Sequence, residues 1–111
     1  MNNQIKLDFN NYKKIKIKKS FINLKKFKII NDKIDLIKID VNGFEYEVVK
    51  SLVGQIKKDK PMLIIENNSS LSKIHNLLKK YKYKKYCNIN SKLISYKNQK
   101  ALDIFFIPEL N

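Results

Sequence analysis

The segment IDLIKIDVNGFEYE, residues 34–47, constrains the fold of this chain more than any other stretch. Apolar and polar residues alternate up to Asp40, as they do in a half-buried strand. Asn42 and Gly43 follow as a turn, because glycine tolerates backbone conformations that other residues resist. From Phe44 onward apolar residues recur every four positions, which predicts an amphipathic helix. The segment therefore predicts a strand that ends on a carboxylate and turns directly into a helix.

The pattern beyond this segment predicts an α/β domain. Gly54 is expected to weaken the last turns of the helix, and Pro61 stops it. Met62 to Ile65 is a continuous apolar run, typical of a strand buried on both faces. The predicted elements are a strand at 15–19, helical turns over 20–28, a strand over 34–41, a helix over 44–58, a strand over 62–66, a helix from 71 capped by Ser69 or Ser70, a turn around 88–92, and strands near 83–89, 93–97 and 101–107. We therefore predict a three-layer sheet with parallel strands first and an antiparallel hairpin at the end.

Length and cysteine content predict one domain in a reducing compartment. Residues 15–111 form this domain, and the polar, Asn-rich residues 1–14 are expected to be a poorly ordered lead-in. Cys87 is the single cysteine, so no disulfide can form within the chain, and we expect a cytoplasmic protein. No apolar run approaches the length of a membrane span, and the N-terminus lacks the apolar region of a secretory signal.

The net charge of +14 suggests a polyanion as a partner. All 24 basic residues are lysines, however, and Lys, Asn and Ile together make up about half of the chain, as an AT-rich genome would produce. The run KKYKYKKYC, residues 79–87, interleaves lysines with tyrosines that could stack on single-stranded nucleic acid. The same run suits an edge strand that lysines protect from pairing. We favour the compositional explanation and keep a small basic module for polyanions as the alternative function.

Two acids stand where the first two predicted parallel strands end. Asp40 lies near the end of the first and Glu66 ends the second, while Glu45 lies in the first helical turn. Ligands of open α/β sheets bind beyond the carboxyl ends of the strands, and paired strands lie about 5 Å apart, so both acids would edge one crevice. In the alternative, Asp40 caps the helix, Glu45 complements its dipole and Glu66 accepts hydrogen bonds from the amides of 67–70. Spacing alone leaves both interpretations open.

The other residues with reactive side chains give no site. His75 lies beside an apolar helix stripe without ligand partners at metal spacing, so a surface or boundary position is expected. Cys87 lies among tyrosines in a predicted strand, where a structural thiol is expected. We therefore predict no metal site.

The segment over roughly 34–66 resembles the FkbM family of S-adenosylmethionine-dependent methyltransferases. The matching residues are Ile37, Lys38, Ile39, Asp40, Gly43 and Glu45, and then Lys60, Pro61 and Glu66. The resemblance implies a class I methyltransferase fold, which is Rossmann-like, with seven strands and helices on both faces. It implies methyl transfer from S-adenosylmethionine to the hydroxyl of a sugar, glycan or other small molecule.

The resemblance also implies candidate catalytic residues at the crevice. These are Asp40, Glu45 and Glu66, with Asn42 at a position where the family has a glutamate. Asn42 keeps a hydrogen-bonding oxygen but cannot ionise, so a charged role at that position would be lost.

The cofactor half implied by the resemblance has no counterpart in this sequence. That half carries a glycine-rich turn, whereas the chain has two glycines, Gly43 and Gly54, and no G-x-G. Each βα unit takes about 30 residues, so three such units do not fit before residue 34. We expect a C-terminal half-domain, without cofactor-binding residues of its own, that does not bind S-adenosylmethionine alone. Its strand 34–41 would be an open edge for a complementing N-terminal half or a second copy, as in a non-catalytic subunit of a split enzyme.

Overall fold

The computed structural model describes residues 14–17, 29 and 31–109 as a mixed α/β structure. Its elements are β1 Lys14–Ile17, β2 Leu36–Ile39, α1 Glu45–Ser51, α2 Val53–Asp59, β3 Met62–Glu66, α3 Leu71–Lys79, β4 Tyr83–Ile89, β5 Lys92–Ser95 and β6 Asp103–Pro108. The predicted strands and helices from residue 34 onward are confirmed with small shifts in their bounds. The predicted helical turns over 20–28 lie outside the described residues, and so do residues 1–13 of the lead-in predicted over 1–14. Lys14, the last residue of that lead-in, begins β1.

The strands form one six-stranded sheet in the order β1-β2-β3-β6-β4-β5. β2 runs parallel to β1 and to β3, with Ile39 opposite Ile65, which confirms the predicted parallel pair. The remaining neighbours, β3 with β6, β6 with β4 and β4 with β5, are antiparallel. The prediction of an open edge at strand 34–41 is wrong, because β1 pairs along the whole of β2.

The three helices within the described ranges pack on the same face of the sheet. The alternation within β2 and β3 points Ile37, Ile39, Leu63 and Ile65 to this face. The main core combines these residues with helix residues, namely Val48, Val49, Leu52, Ile56, Ile74 and Leu78. The opposite face carries a smaller buried cluster of Leu36, Met62, Ile64, Leu93 and Phe105. No helix residue of the described ranges belongs to this smaller cluster, so the predicted third layer is absent from them.

The predicted helix over 44–58 occurs as two segments, α1 and α2, that meet at Leu52. Gly54, which is expected to weaken the last turns, does not end the helix, because α2 continues past it to Asp59. Gln55 and Ile56 are fully buried on this helix, and their burial holds the segment in place. A Cβ atom at Gly54 would lie 3.1 Å from Cδ1 of Ile29, so a glycine suits the position. No helix in the described part is long and apolar enough to cross a bilayer.

β6 returns to the middle of the sheet after a tight hairpin. β4 and β5 are joined by Asn90 and Ser91, which both have positive φ, as two-residue hairpin turns require. The loop after β5 is then fixed to the end of β3. The backbone N–H of Asn67 donates to the carbonyl of Leu102 at 2.8 Å, and its side-chain amide donates to the carbonyl of Ala101 at 3.0 Å. These bonds set the start of β6 beside the end of β3.

Candidate functional site

The turn between β2 and α1 places the chain's first candidate site residues. The N–H of Phe44 donates to the carbonyl of Val41 at 3.2 Å and closes a tight turn. Its two central residues, Asn42 and Gly43, have φ of +37° and +93°, in the left-handed region. Glycine adopts this region freely, and asparagine adopts it more readily than most residues, so the Asn-Gly pair fits the turn. The sharp turn predicted behind Asp40 is confirmed.

Glu45 lies under this turn and is fully buried. Its Oε1 accepts hydrogen bonds from the N–H of Gly43 at 2.9 Å and from the side-chain amide of Asn68 at 2.8 Å. Its Oε2 accepts a longer one from the N–H of Val41 at 3.4 Å. Glu45 does not line a described cavity. The carboxylate therefore ties the turn after β2 to the loop after β3, which is a positioning role.

Asp40, Asn42 and Glu66 lie together around one cavity of about 360 Å³ at the carboxyl ends of β2 and β3. This acid-lined cavity is bounded by Lys38, Ile39, Asp40, Asn42, Glu66, Leu102 and Asp103. Ile39 is opposite Ile65 and Glu66 is opposite Asp103, so Asp40, Glu66 and Asp103 form a row across three neighbouring strands. Neighbouring strands lie about 5 Å apart, so one small ligand can contact all three.

Sequence reasoning missed Asp103. The residue opens the apolar run of β6, and its neighbourhood depends on β6 pairing antiparallel with β3. An antiparallel strand brings its amino end to the edge where parallel strands bring their carboxyl ends. The signal available in the sequence was an acid at the start of a buried closing strand.

The three carboxylates of this row have no hydrogen-bond or ion-pair partner among the residues that the structure describes. The alternative role for Glu66 is not seen, because the N–H of Asn67 donates to Leu102 and that of Ser70 donates to Asn68 Oδ1 at 2.8 Å. Like charges on neighbouring strands repel. A chain with net charge +14 thus concentrates three of its ten acids around a single cavity, and none of the three pairs with a described residue. Carboxylates in this state are free to accept hydrogen bonds from a ligand.

A second cavity of about 330 Å³ adjoins the first. It is lined by Asn88, Lys100, Ala101, Leu102, Asp103 and Phe105, so the two cavities share Leu102 and Asp103. The loop that separates them is held internally as well as by Asn67, since the side-chain amide of Gln99 donates to the carbonyl of Ser95 at 2.9 Å. The two cavities therefore lie side by side along this edge of the sheet, with Leu102 and Asp103 between them.

The lysine and tyrosine run over 79–87 serves the core. Tyr83 is buried, its hydroxyl donates to the carbonyl of Pro61 at 2.6 Å, and burial raises its pKa well above the ordinary value. Tyr81 and Tyr86 are partly buried against the two core clusters. β4 is paired on both sides, so the prediction of an edge strand is wrong. The run therefore presents no row of exposed rings on which bases could stack.

Cys87 and His75 contribute no chemistry to the cavities. Cys87 is fully buried, and burial raises the pKa of its thiol. His75 is half-buried, and burial together with the charges of Lys85 and Lys79 lowers the pKa of its imidazole. No group of three or more His, Cys, Asp or Glu residues within the described ranges is arranged to hold a metal ion.

Comparison with protein families gives a match over most of the chain. Residues 9–85, more than half of the chain, match the family model described as Methyltransferase FkbM domain. The matched range includes Asp40, Asn42, Glu45 and Glu66 and ends before Asp103. No curated protein and no solved structure matches the chain.

Proposed function

The chain belongs to the FkbM methyltransferase domain family, and from this premise we propose that it serves S-adenosylmethionine-dependent methylation of a hydroxyl group on a sugar or other small molecule. The observation that carries the proposal is the row of three acids around the acid-lined cavity, Asp40, Glu66 and Asp103, which have no partner in the part of the chain that the structure describes. Two of the three lie inside the family match, at the edge of the sheet where α/β proteins bind ligands.

The lining of the cavity suits a molecule with several hydroxyl groups. Each carboxylate accepts hydrogen bonds from hydroxyls, while the ammonium of Lys38 and the amide of Asn42 donate to ligand oxygens. A hydroxyl that accepts a methyl group must lose its proton. Asp40 is exposed, has no partner among the described side chains and lies next to the turn that Glu45 fixes, so we assign it the role of hydrogen-bond acceptor and base for that hydroxyl. Glu66 and Asp103 bind and orient the neighbouring hydroxyls.

The residues around this cavity do not fit the nucleoside of S-adenosylmethionine, which supplies the methyl group in this chemistry. In α/β folds that bind nucleotides, a glycine-rich turn lets the backbone approach the ligand closely, and this chain has two glycines, 11 positions apart. No aromatic residue lines the acid-lined cavity. We propose that this chain supplies the acceptor side and that a different, complementing polypeptide supplies the nucleoside site.

An assay of methyl transfer tests the proposal. The tagged chain is expressed in its native host and purified together with the proteins that bind it. This preparation is incubated with methyl-labelled S-adenosylmethionine and a mixture of methyl glycosides. We expect labelled sugar, and Asp40→Asn should lower its formation by at least about 100-fold. Asp35→Asn, an acid just before the opposite end of β2, is the matched control and should leave the rate unchanged.

Two results would count against the proposal. If the Asp40→Asn variant still transfers the label, Asp40 is not the base. If no hydroxyl-containing acceptor becomes labelled, the cavity is not the acceptor site. Calorimetry with the purified chain alone should show no binding of S-adenosylmethionine. Binding in the micromolar range would contradict the division of the site between two polypeptides.

A further inference from the structure

The row of polar residues that lines the first cavity continues into the second cavity. The whole row is longer than the binding of a single sugar ring requires. Tyr86 on β4 is opposite Phe105 on β6, and continuing this register places Asn88 beside Asp103. Both residues line the second cavity. Asp40, Glu66, Asp103 and Asn88 therefore lie on four adjacent strands, each about 5 Å from the next.

The lining of the second cavity combines polar and apolar groups. Asn88 and Lys100 are exposed and offer hydrogen-bond donors, and Asn88 also offers an acceptor. Leu102, Ala101 and Phe105 supply apolar surface next to them. Ligand sites typically show this combination of apolar wall and few polar groups. A sugar ring matches it, because hydroxyls surround its edge while C–H groups form its faces.

Leu102 forms a ridge between the two cavities. Its side chain is 88% exposed, the highest exposure of any large apolar residue in the described part of the chain. Its backbone is nevertheless fixed, because its carbonyl and that of Ala101 both accept hydrogen bonds from Asn67. A rigidly held, exposed leucine between two polar cavities can pack against two consecutive rings of one ligand.

We propose that the acceptor is a glycan of at least two sugar units, and that the second cavity binds the unit next to the one that is methylated. The proposal rests on the proposed function for the choice of a sugar as the acceptor. Asn88 and Lys100 hydrogen-bond to hydroxyls of the second unit, and Phe105 and Leu102 pack against its C–H face. The class of reaction that supplies this substrate is glycosidic bond formation before methylation.

Binding measured by NMR tests the second subsite without any need for cofactor. The isotope-labelled chain is titrated with a panel of methyl glycosides and with the disaccharides that contain the same units. We expect the best disaccharide to bind about tenfold more tightly than its methyl glycoside, which corresponds to about 1.4 kcal/mol. It should shift the amide signals of 40–43 and also those of Asn88 and 100–105, whereas the methyl glycoside should shift only the first group.

Variants that touch only the second cavity sharpen the test. Asn88→Ala should lower the affinity for the disaccharide about fivefold through the loss of one hydrogen bond and leave the methyl glycoside unaffected. Lys100→Ala, in an exposed loop, provides the same comparison if the strand variant folds poorly. Asn76→Ala, an exposed asparagine on α3, is the matched control and should change neither affinity.

The outcomes separate this inference from the proposed function. Equal affinities for both sugars, with Asn88→Ala and Lys100→Ala silent, would overturn the second subsite and leave the first in place. Absence of any sugar-induced shift at 40–43 would overturn both. The two-unit acceptor is supported if the second-cavity variants bind the disaccharide more weakly than the wild type while the control variant does not.

Discussion

The two ends of the β2–α1–α2–β3 unit are each held by one carboxylate that accepts backbone hydrogen bonds, but within the described residues only the carboxyl end also carries acids without a partner. At the amino end Asp59, the last residue of α2, accepts a hydrogen bond from the N–H of Ile34 at 2.9 Å. At the carboxyl end Glu45 accepts three hydrogen bonds, and Asp40 and Glu66 lie unpaired nearby. The acids that are engaged hold the backbone, and those that are not remain available to a ligand.

The amino end is a purely structural junction. Lys58 donates to Asp59 at 2.8 Å, and the amide of Gln55 donates to the same carboxylate. The hydroxyl of Tyr83 donates to the carbonyl of Pro61, just before β3 begins. Neither of the two described cavities includes a residue of this junction. The contrast shows that engagement by backbone amides, more than residue type, distinguishes a structural acid from a candidate catalytic one.

The largest expected effect is that of removing the buried carboxylate at the carboxyl end. Glu45→Ala leaves the N–H groups of Val41 and Gly43 and the amide of Asn68 without their acceptor in a buried place. Hydrogen bonds to charged groups contribute roughly 1.5–3 kcal/mol each. Counting the two short bonds, from Gly43 and Asn68, at the lower value, we expect the free energy of unfolding to fall by about 3 kcal/mol. Urea denaturation followed by circular dichroism measures it.

Glu47→Ala is the matched control for that variant. Glu47 lies in the same first turn of α1 but is exposed, so only its interaction with the helix dipole is lost, roughly 0.3–1 kcal/mol. Equal losses for Glu45→Ala and Glu47→Ala would show that the buried hydrogen bonds do not hold the turn.

The next effect concerns the acid at the amino end. Burial raises the pKa of Asp59, but hydrogen bonds from Lys58, Ile34 and Gln55 outweigh it, so its pKa lies below the ordinary value of 3.8. A lowered folded-state pKa stabilises the protein above 3.8, and this contribution is lost as the pH falls through the folded-state pKa. We expect Asp59→Asn to lower the free energy of unfolding by about 1–2 kcal/mol at pH 7.

The pH dependence provides the check on Asp59. The stability difference between wild type and Asp59→Asn should shrink as the pH falls below 3.8, measured by urea titrations between pH 7 and pH 2. Asp35→Asn, whose ion pair with Lys33 is long at 3.9 Å and exposed, is the control and should give a small difference at every pH. A difference that grows toward low pH would contradict the assigned direction of the shift.

Much of this unit could be predicted from the sequence because its signals are local. Alternation in β2, the four-residue recurrence of Val48, Leu52 and Ile56, and the apolar run of β3 each lie within a few residues, and the Asn-Gly pair marks the turn between them. Parallel pairing of the two strands follows from the helix that joins them. The meeting of Asp40 with Glu66 follows from that pairing.

Two features of the site could not be predicted from local patterns. One is which side chain of the first helical turn is buried, and the other is the pairing of strands that are distant in sequence. Phe44 extends the apolar recurrence yet is 42% exposed, while the charged neighbour Glu45 is fully buried. Residue type alone predicts a buried phenylalanine and an exposed glutamate. The burial of Glu45 is explained by the hydrogen bonds that the amides of the turn donate to its carboxylate. Asp103 joins the row because β6 inserts between β3 and β4, a pairing across some 40 residues that no local pattern encodes.

A smaller effect is expected from the second contact at the amino end. Tyr83→Phe leaves the carbonyl of Pro61 without its buried donor, and we expect a loss of about 1 kcal/mol in the free energy of unfolding. Burial raises the pKa of Tyr83 above its ordinary value of 10.0, so the wild type loses stability as the pH rises above 10 and the variant lacks this contribution to the loss.

Tyr86→Phe is the control for Tyr83→Phe. Tyr86 lies on the same strand, is half-buried, and its hydroxyl has no hydrogen bond to a described residue. The two variants should differ in stability at pH 7 and in slope above pH 10. Identical curves would show that the bond to Pro61 contributes nothing.

The smallest expected effect has the opposite sign and tests the comparison most directly. Glu66 and Asp103 are opposite each other on antiparallel strands, and like charges in such pairs cost roughly 0.2–1 kcal/mol. Glu66→Gln should therefore raise the free energy of unfolding by a few tenths of a kcal/mol while it weakens sugar binding. Because salt screens the repulsion between the two charges, the gain should shrink in 1 M NaCl.

Glu109→Gln is the control for this variant. It removes an acid that pairs with Lys84 at 3.1 Å and should lower stability instead. If Glu66→Gln were destabilising like Glu109→Gln, Glu66 would be an engaged, structural acid, and the distinction between the two ends of the unit would fail.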